Sequence, residues 1–182
     1  DYVDKIILDK KKSKELDHGS DLAGNVQQEF FLEKTFLESS GFLNFLGLSV
    51  ANWLKFSGMP EIKTCNVLRA WIVRQFKNEY NPTHWHGGHV SGVGYLKVPK
   101  NMGKPIQEGK AKNHNGKLEL IHGTRMFLCH STYSITPKVG DFYFFPNYLM
   151  HSVYPFSDTD DERRSVSFNA KIDDNIYNVY QN

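Results

Sequence analysis

From Cys65 to Ile172 the chain is a succession of short β-prone segments separated by turn signals. They are CNVLRAWIVRQF (65–76), HVSGVGYLKV (89–98), KLELIHG (117–123), RMFLCHSTYSIT (125–136), FYFFP (142–146), HSVYPF (151–156) and RRSVSFNAKI (163–172). Between them lie the turn from Asn78 to Pro82, a polar loop at 99–117, the tight turn PKVGD (137–141) and the acidic loop SDTDDE (157–162). Short strands recurring at this spacing after a helical leader predict a β-sandwich or small open barrel with helices on one side. An aromatic content of 14% suits such an interior.

The first 60 residues have a helical texture. SDLAGNVQQEFFLEKTF opens on the cap candidates Ser20 and Asp21 and predicts a helix. Phe42, Phe45, Leu46, Val50, Trp53, Leu54 and Phe56 recur at helical spacing, which predicts an amphipathic helix near 35–56, with Gly41 and Gly47 as weak points and Gly58-Met59-Pro60 as its stop. Its apolar stripe is expected to pack on the back of a sheet. KKKSK (10–14) reads as a solvated turn. A single domain over 1–182 is expected, with 1–60 as a helical leader packing on the sheet and 61–175 as the β core.

A net charge of +2 gives no indication of a nucleic-acid partner. No apolar run approaches the ~18 residues of a membrane span, so no membrane partner is expected. Cys65 and Cys129 have neither CxxC nor disulfide-style spacing and read as buried thiols of a cytoplasmic protein.

Three of the eight histidines fall in NPTHWHGGH (81–89). On an extended strand His84 and His86 point to one face and Trp85 to the other, so one strand can offer two imidazoles to one metal. Neutral imidazole suits Fe, Zn, Cu and Ni. His151 is the candidate third ligand, placed after an apolar strand and the break at Pro146. His89 has the wrong parity unless Gly87-Gly88 bulge the chain. Arg163, Ser165 and Ser167 share one strand face, and an arginine there can grip a carboxylate with two parallel hydrogen bonds. Arg164, of opposite parity, is expected to reach solvent. His114, His122 and His130 read as surface or strand histidines, Asp141 as a turn residue, and GVG (92–94) as part of a strand rather than a nucleotide loop.

Four blocks in this order, AWIVRQFKNEYNPTHWH, SGVGYL, GDFYFFPNYLMHSVYP and RRSVSFN, resemble the Fe(II)- and 2-oxoglutarate-dependent oxygenases, in particular a small branch found in phages and bacteria. The resemblance covers roughly 70–169. It implies a mainly β fold with flanking helices, the cupin-like double-stranded β-helix or jelly roll, with iron at its open end. By position, His84 and His151 match the family's histidine ligands. Arg163 matches the residue pairing with the distal carboxylate of 2-oxoglutarate, with Ser165 and Tyr95 as further contacts to it. The sequence departs from the family pattern at one point: the superfamily usually has His-x-Asp or His-x-Glu, and here that position is His86. Either His86 replaces the carboxylate, leaving a formal 2+ site that favours an anionic co-substrate, or it is not a ligand.

The resemblance implies a dioxygenase that uses Fe(II), 2-oxoglutarate and O₂. Oxidative decarboxylation to succinate would be coupled to hydroxylation of a primary substrate, of which a prolyl or other peptide side chain is one type. Two other readings stand beside it: a three-histidine cupin-type metalloenzyme without 2-oxoglutarate, and a non-catalytic jelly-roll binding module. Lys104, Lys110, Lys112 and Lys117 in the 99–117 loop lean toward a polar or anionic substrate.

Overall fold

Two antiparallel sheets face each other in a computed structural model that describes residues 1–178. The strands are β1 (Gln28–Phe31), β2 (Cys65–Gln75), β3 (Asn81–His84), β4 (Val90–Lys97), β5 (Leu118–Ile121), β6 (Thr132–Ile135), β7 (Phe142–Pro146), β8 (Met150–Val153) and β9 (Arg163–Ile172). The major sheet has the order β1-β2-β9-β4-β7 and the minor sheet β3-β8-β5-β6. This is the expected jelly roll, with consecutive strands shared between two sheets rather than paired in sequence order.

The major sheet has two chemically distinct faces, and strand register assigns each residue to one. Phe30, Ile72, Val166 and Gly94 are successive register partners, as are Ala70, Phe168 and Gly92. This face packs on Ile6 of α1 (Tyr2–Leu8), Leu37 of α3 (Lys34–Ser39) and Leu46, Val50 and Leu54 of α4 (Phe42–Phe56), forming the main apolar core. Each such side chain contributes about 1.5–3 kcal/mol on burial. The opposite face carries the row Glu29, Val73, Ser165, Tyr95 and the row Trp71, Ser167, Val93. It looks toward the minor sheet.

Several leader elements differ from the sequence expectation. The helix expected from Ser20 is instead a single 3₁₀ turn, Gly19–Asp21, followed by the edge strand β1. Pairing with β2 buries Phe30 on the helix side, and this tertiary contact overrides the local helical pattern. KKKSK is not a turn but most of α2 (Lys10–Glu15), because the Asp9 carboxylate caps it by accepting from the Lys11 and Lys12 amides at 3.1 and 3.0 Å. The helix expected at 35–56 is split into α3 and α4 by Gly41, which takes a left-handed φ of 77°. In RMFLCHSTYSIT only Thr132–Ile135 is strand. Met126 and Cys129 close a tight turn on each other, with Leu128 at φ 67°, and leave Cys129 exposed rather than buried. Among the described residues no helix is long and apolar enough to cross a membrane.

Candidate active site

A cavity of about 240 Å³ lies between the sheets, and three histidines line it from the minor-sheet side. His84 ends β3 and is the direct register partner of His151 on β8. His86 lies two residues past His84, held by its N–H donating to the Asn147 carbonyl at 3.0 Å and by Asn147 Nδ2 donating to its carbonyl at 3.2 Å. One ligand nitrogen from each lies within 4.8 Å of the other two. Trp85, between them in sequence, is 65% exposed, as strand parity predicts.

The backbone fixes two of the tautomers. His84 Nδ1 donates to the Pro82 carbonyl at 2.7 Å and His151 Nδ1 donates to the Leu149 carbonyl at 2.9 Å. A nitrogen facing a carbonyl must carry the hydrogen, so each Nε2 presents a lone pair to the cavity. His151 Nε2 sits 3.1 Å from His86 Nε2. Burial, with the neighbouring imidazoles His151 and His84, pushes His86 down to about 3. Burial and then His84 push His151 down to about 4. Burial also lowers His84, against the pull of the Pro82 carbonyl. All three are uncharged near neutral pH. Three neutral imidazoles whose ring nitrogens converge within 4.8 Å fit a first-row divalent cation.

Across the cavity, Arg163 is 2% exposed. Its Nη1 donates to Gln75 Oε1 at 2.6 Å and its guanidinium lies 5.1 Å over the Tyr95 ring. Gln75 is itself anchored, its Nε2 donating to the Glu79 and Tyr154 carbonyls at 2.6 and 3.2 Å. Arg163 Nε and the Tyr95 hydroxyl are buried without a hydrogen-bond partner. Burial raises the Tyr95 phenol, keeping it a neutral donor. Ser165 and Ser167 line the same cavity. Two unsatisfied donors of this kind fit a carboxylate.

Other candidates separate cleanly. His89 packs behind the site: Ile172 N–H donates to its Nδ1 at 3.2 Å and its ring stacks on Tyr177 at 3.9 Å. Asp141 accepts from the Tyr143 hydroxyl at 3.1 Å beside the turn. Arg164 does lie on the opposite face from Arg163, but it does not reach solvent. It binds Glu162 through Nε and Nη2 at 2.9 and 2.8 Å and Asp4 through Nη1 at 2.8 Å. Strand parity alone predicts the face that Arg164 takes, but not its acidic partners, which come from the preceding loop and from α1. Sequence reading also missed Gln75 and Glu29. Gln75 had one signal, a polar residue in phase with Trp71 and Val73 on an apolar strand.

Residues 69–169, more than half of the chain, match the protein family described as "Putative 2OG-Fe(II) oxygenase". No curated protein matches. Among solved structures, the chain is similar to the viral collagen prolyl hydroxylase of Paramecium Bursaria Chlorella virus-1 in its 2OG complex, at 15% identity, covering 81% of this chain and 79% of that one with a TM-score of 0.54. It is similar to a Pseudomonas putida prolyl-4-hydroxylase at 17% identity, covering 79% and 71% with a TM-score of 0.48. A 2OG-Fe(II) oxygenase family oxidoreductase from Burkholderia pseudomallei matches at 15% identity over 59% of this chain, which spans only 45% of that one, with a TM-score of 0.45. At these identities the likeness is one of fold, carried by the viral enzyme.

Proposed function

The chain belongs to the 2OG-Fe(II) oxygenase family, and from that premise we propose that it hydroxylates a primary substrate using 2-oxoglutarate and O₂. The family's cofactors are Fe(II) and 2-oxoglutarate, and the residues present fit both. His84, His86 and His151 would hold the metal through Nε2. Bound there, the iron supplies the redox chemistry that turns 2-oxoglutarate and O₂ into succinate and CO₂ and oxidises a substrate C–H bond. Because none of the three ligands is charged, the site keeps a formal 2+ charge and favours an anionic co-substrate.

Arg163 Nε and the Tyr95 hydroxyl, with Ser165 beside them, would hold the distal carboxylate of 2-oxoglutarate. Gln75 occupies Arg163 Nη1 and so fixes how the guanidinium presents its free edge. Trp71, whose ring meets His86 edge-on at 5.5 Å, and Phe145, 4.9 Å from His151, wall the metal side and exclude water. The free thiols of Cys65 and Cys129 fit a reducing compartment such as the cytoplasm.

One observation carries the reading. A single cavity holds three uncharged imidazoles and two buried donors with no partner in the protein. The test is uncoupled turnover: the chain with Fe(II), ascorbate, O₂ and 2-oxoglutarate, without primary substrate, should release succinate, and His151→Ala should not. If the wild-type chain binds metal but yields no succinate and no 2-oxoglutarate binding, the three-histidine enzyme without this co-substrate takes its place.

A further inference from the structure

The cavity has a second polar end that the metal and 2-oxoglutarate leave unused. Glu29, on edge strand β1, is 2% exposed and lines the cavity. Its row across the sheet runs through Val73 to Ser165, so it shares the inner face with the anion-binding donors yet stands two strands from Ser165, roughly 10 Å away. Glu29 Oε2 is buried and has no hydrogen-bond partner; Asn81 Oδ1, also on the cavity wall, is likewise buried and unpartnered. Gly24 closes over the pair: a Cβ there would lie 2.7 Å from Glu29 Oε2 and 3.0 Å from Asn81 Nδ2. Asp21 is a further acidic residue on the lining. Arg163 is the one lysine or arginine among the lining residues, and it belongs to the other end.

The cavity is therefore bipolar, with unsatisfied donors at Arg163 and Tyr95 and unsatisfied acceptors at Glu29 and Asn81. A buried acceptor without a donor is costly, and a ligand that brings the donor recovers that cost. A charged donor matches a buried carboxylate best.

We propose that Glu29, with Asn81, forms a subsite for an ammonium group carried by the primary substrate. The proposal rests on the oxygenase reading above and names the chemistry of its substrate. Burial pushes the Glu29 carboxyl up to about 7, with the Asn81 amide acting against this and the charge of Asp17 adding to it. An ammonium ion seated beside it would restore the carboxylate and pair with it. The substrate would lie with its amine toward β1 and its reacting carbon toward the histidines.

Calorimetry tests this on the chain loaded anaerobically with Fe(II) and 2-oxoglutarate, using n-butylammonium chloride, its uncharged counterpart 1-butanol, and N-acetyl-lysine amide. The ammonium probes should bind at least about tenfold tighter than the alcohol, and Glu29→Gln should remove most of that preference. Tighter binding of N-acetyl-lysine amide assigns the amine to a lysyl side chain in a peptide, and tighter binding of butylammonium assigns it to a free amine; either supports the subsite. Equal binding of butanol and butylammonium, or an undiminished preference in Glu29→Gln, overturns it. The amine–alcohol comparison needs no variant, so a poorly folding Glu29→Gln cannot shield the proposal. Binding of 2-oxoglutarate, measured in the same loading step, judges the oxygenase reading separately. The comparison is repeated on metal-free chain, so the subsite is judged even where 2-oxoglutarate fails to bind.

Discussion

Arg163 and Arg164 are neighbours in the chain, yet β9 sends them to opposite faces and their losses should read out in different measurements. On the proposed role of Arg163, Arg163→Ala should leave the 2-oxoglutarate carboxylate unpaired in a dry cavity, a loss on the order of 2–5 kcal/mol, so 2-oxoglutarate should bind about 30-fold more weakly or worse by calorimetry. Arg164→Ala should leave that affinity within about threefold. It removes one of the two guanidinium partners of Glu162, which is 6% exposed and held below the usual carboxylate range because hydrogen bonds from Arg164 and Arg74 outweigh its burial. Because Arg74 stays on Glu162 Oε1 at 2.7 Å, the cost is that of lost charged hydrogen bonds rather than of a bare buried charge, about 1.5–3 kcal/mol, visible as a lower urea midpoint. Glu29 gives a pH signature of opposite sign to that of an ordinary carboxylate. Its folded value of about 7 stands above the ordinary 4.5, so the folded chain holds the proton more tightly than the unfolded one. The resulting stabilisation is complete below about pH 4.5 and is lost as pH rises through about 7, a change on the order of 3 kcal/mol. Urea midpoints at pH 5 and pH 8 should differ less in Glu29→Gln than in wild type; an unchanged difference would show that Glu29 titrates normally.

At the scale of elements, β4 shows why two glycines stand inside a strand. On the helix-packed face, a Cβ on Gly94 would collide with the Phe142 ring, and one on Gly92 would come within 2.5 Å of Phe168 Cε1. The aromatic cluster of Phe142, Phe144 and Phe168, with centroids 4.9 to 6.0 Å apart, fills the space those side chains would take. Gly94→Ala should cost about 1–3 kcal/mol by overpacking and lower the melting temperature by several degrees in calorimetric scans. Such strands were legible in the sequence because alternation and turn residues are local properties. The histidines were legible for the same reason, since a period of two places His84 and His86 on one face whatever the strand pairs with. β1 was not legible. Gln28–Phe31 is a strand only because β2 offers it an edge, and no local pattern in QEFF reports that edge. Glu29 was missed with it, since a glutamate in an expected helix looks solvated. The Asp9 cap on α2 was hidden inside a charge run, and Gly41 was seen as a weak point but not as the left-handed residue that separates two helices.

At the scale of the molecule, the cavity straddles the two sheets, with the three histidines on or beside the minor sheet and the pocket proposed for the co-substrate's carboxylate on the major one. A ligand that binds only the folded state raises its stability by mass action. Zn(II), which does not change oxidation state, should therefore raise the melting temperature by itself, and 2-oxoglutarate should add a further increment only when metal is present. His151→Ala should lose both increments and Arg163→Ala only the second; a 2-oxoglutarate increment without metal would place its binding elsewhere. The position of β9 has one more consequence, for the birth of the chain. β9 is the centre of the major sheet, between β2 and β4, and among the described strands it is made after the other eight. Its Arg163 meets Gln75 across 88 residues of sequence. At a synthesis rate of ~5–20 residues per second, β2 waits roughly 4–18 s on the ribosome with that edge unpaired, whereas a hairpin closes in about 1–10 μs. During that wait β1–β2 and β4–β7 are separate ribbons with open, aggregation-prone edges. Slower codons between β7 and β9 should therefore increase the insoluble fraction of newly made protein without changing one residue of it, and a chaperone that shields strand edges should reverse the effect.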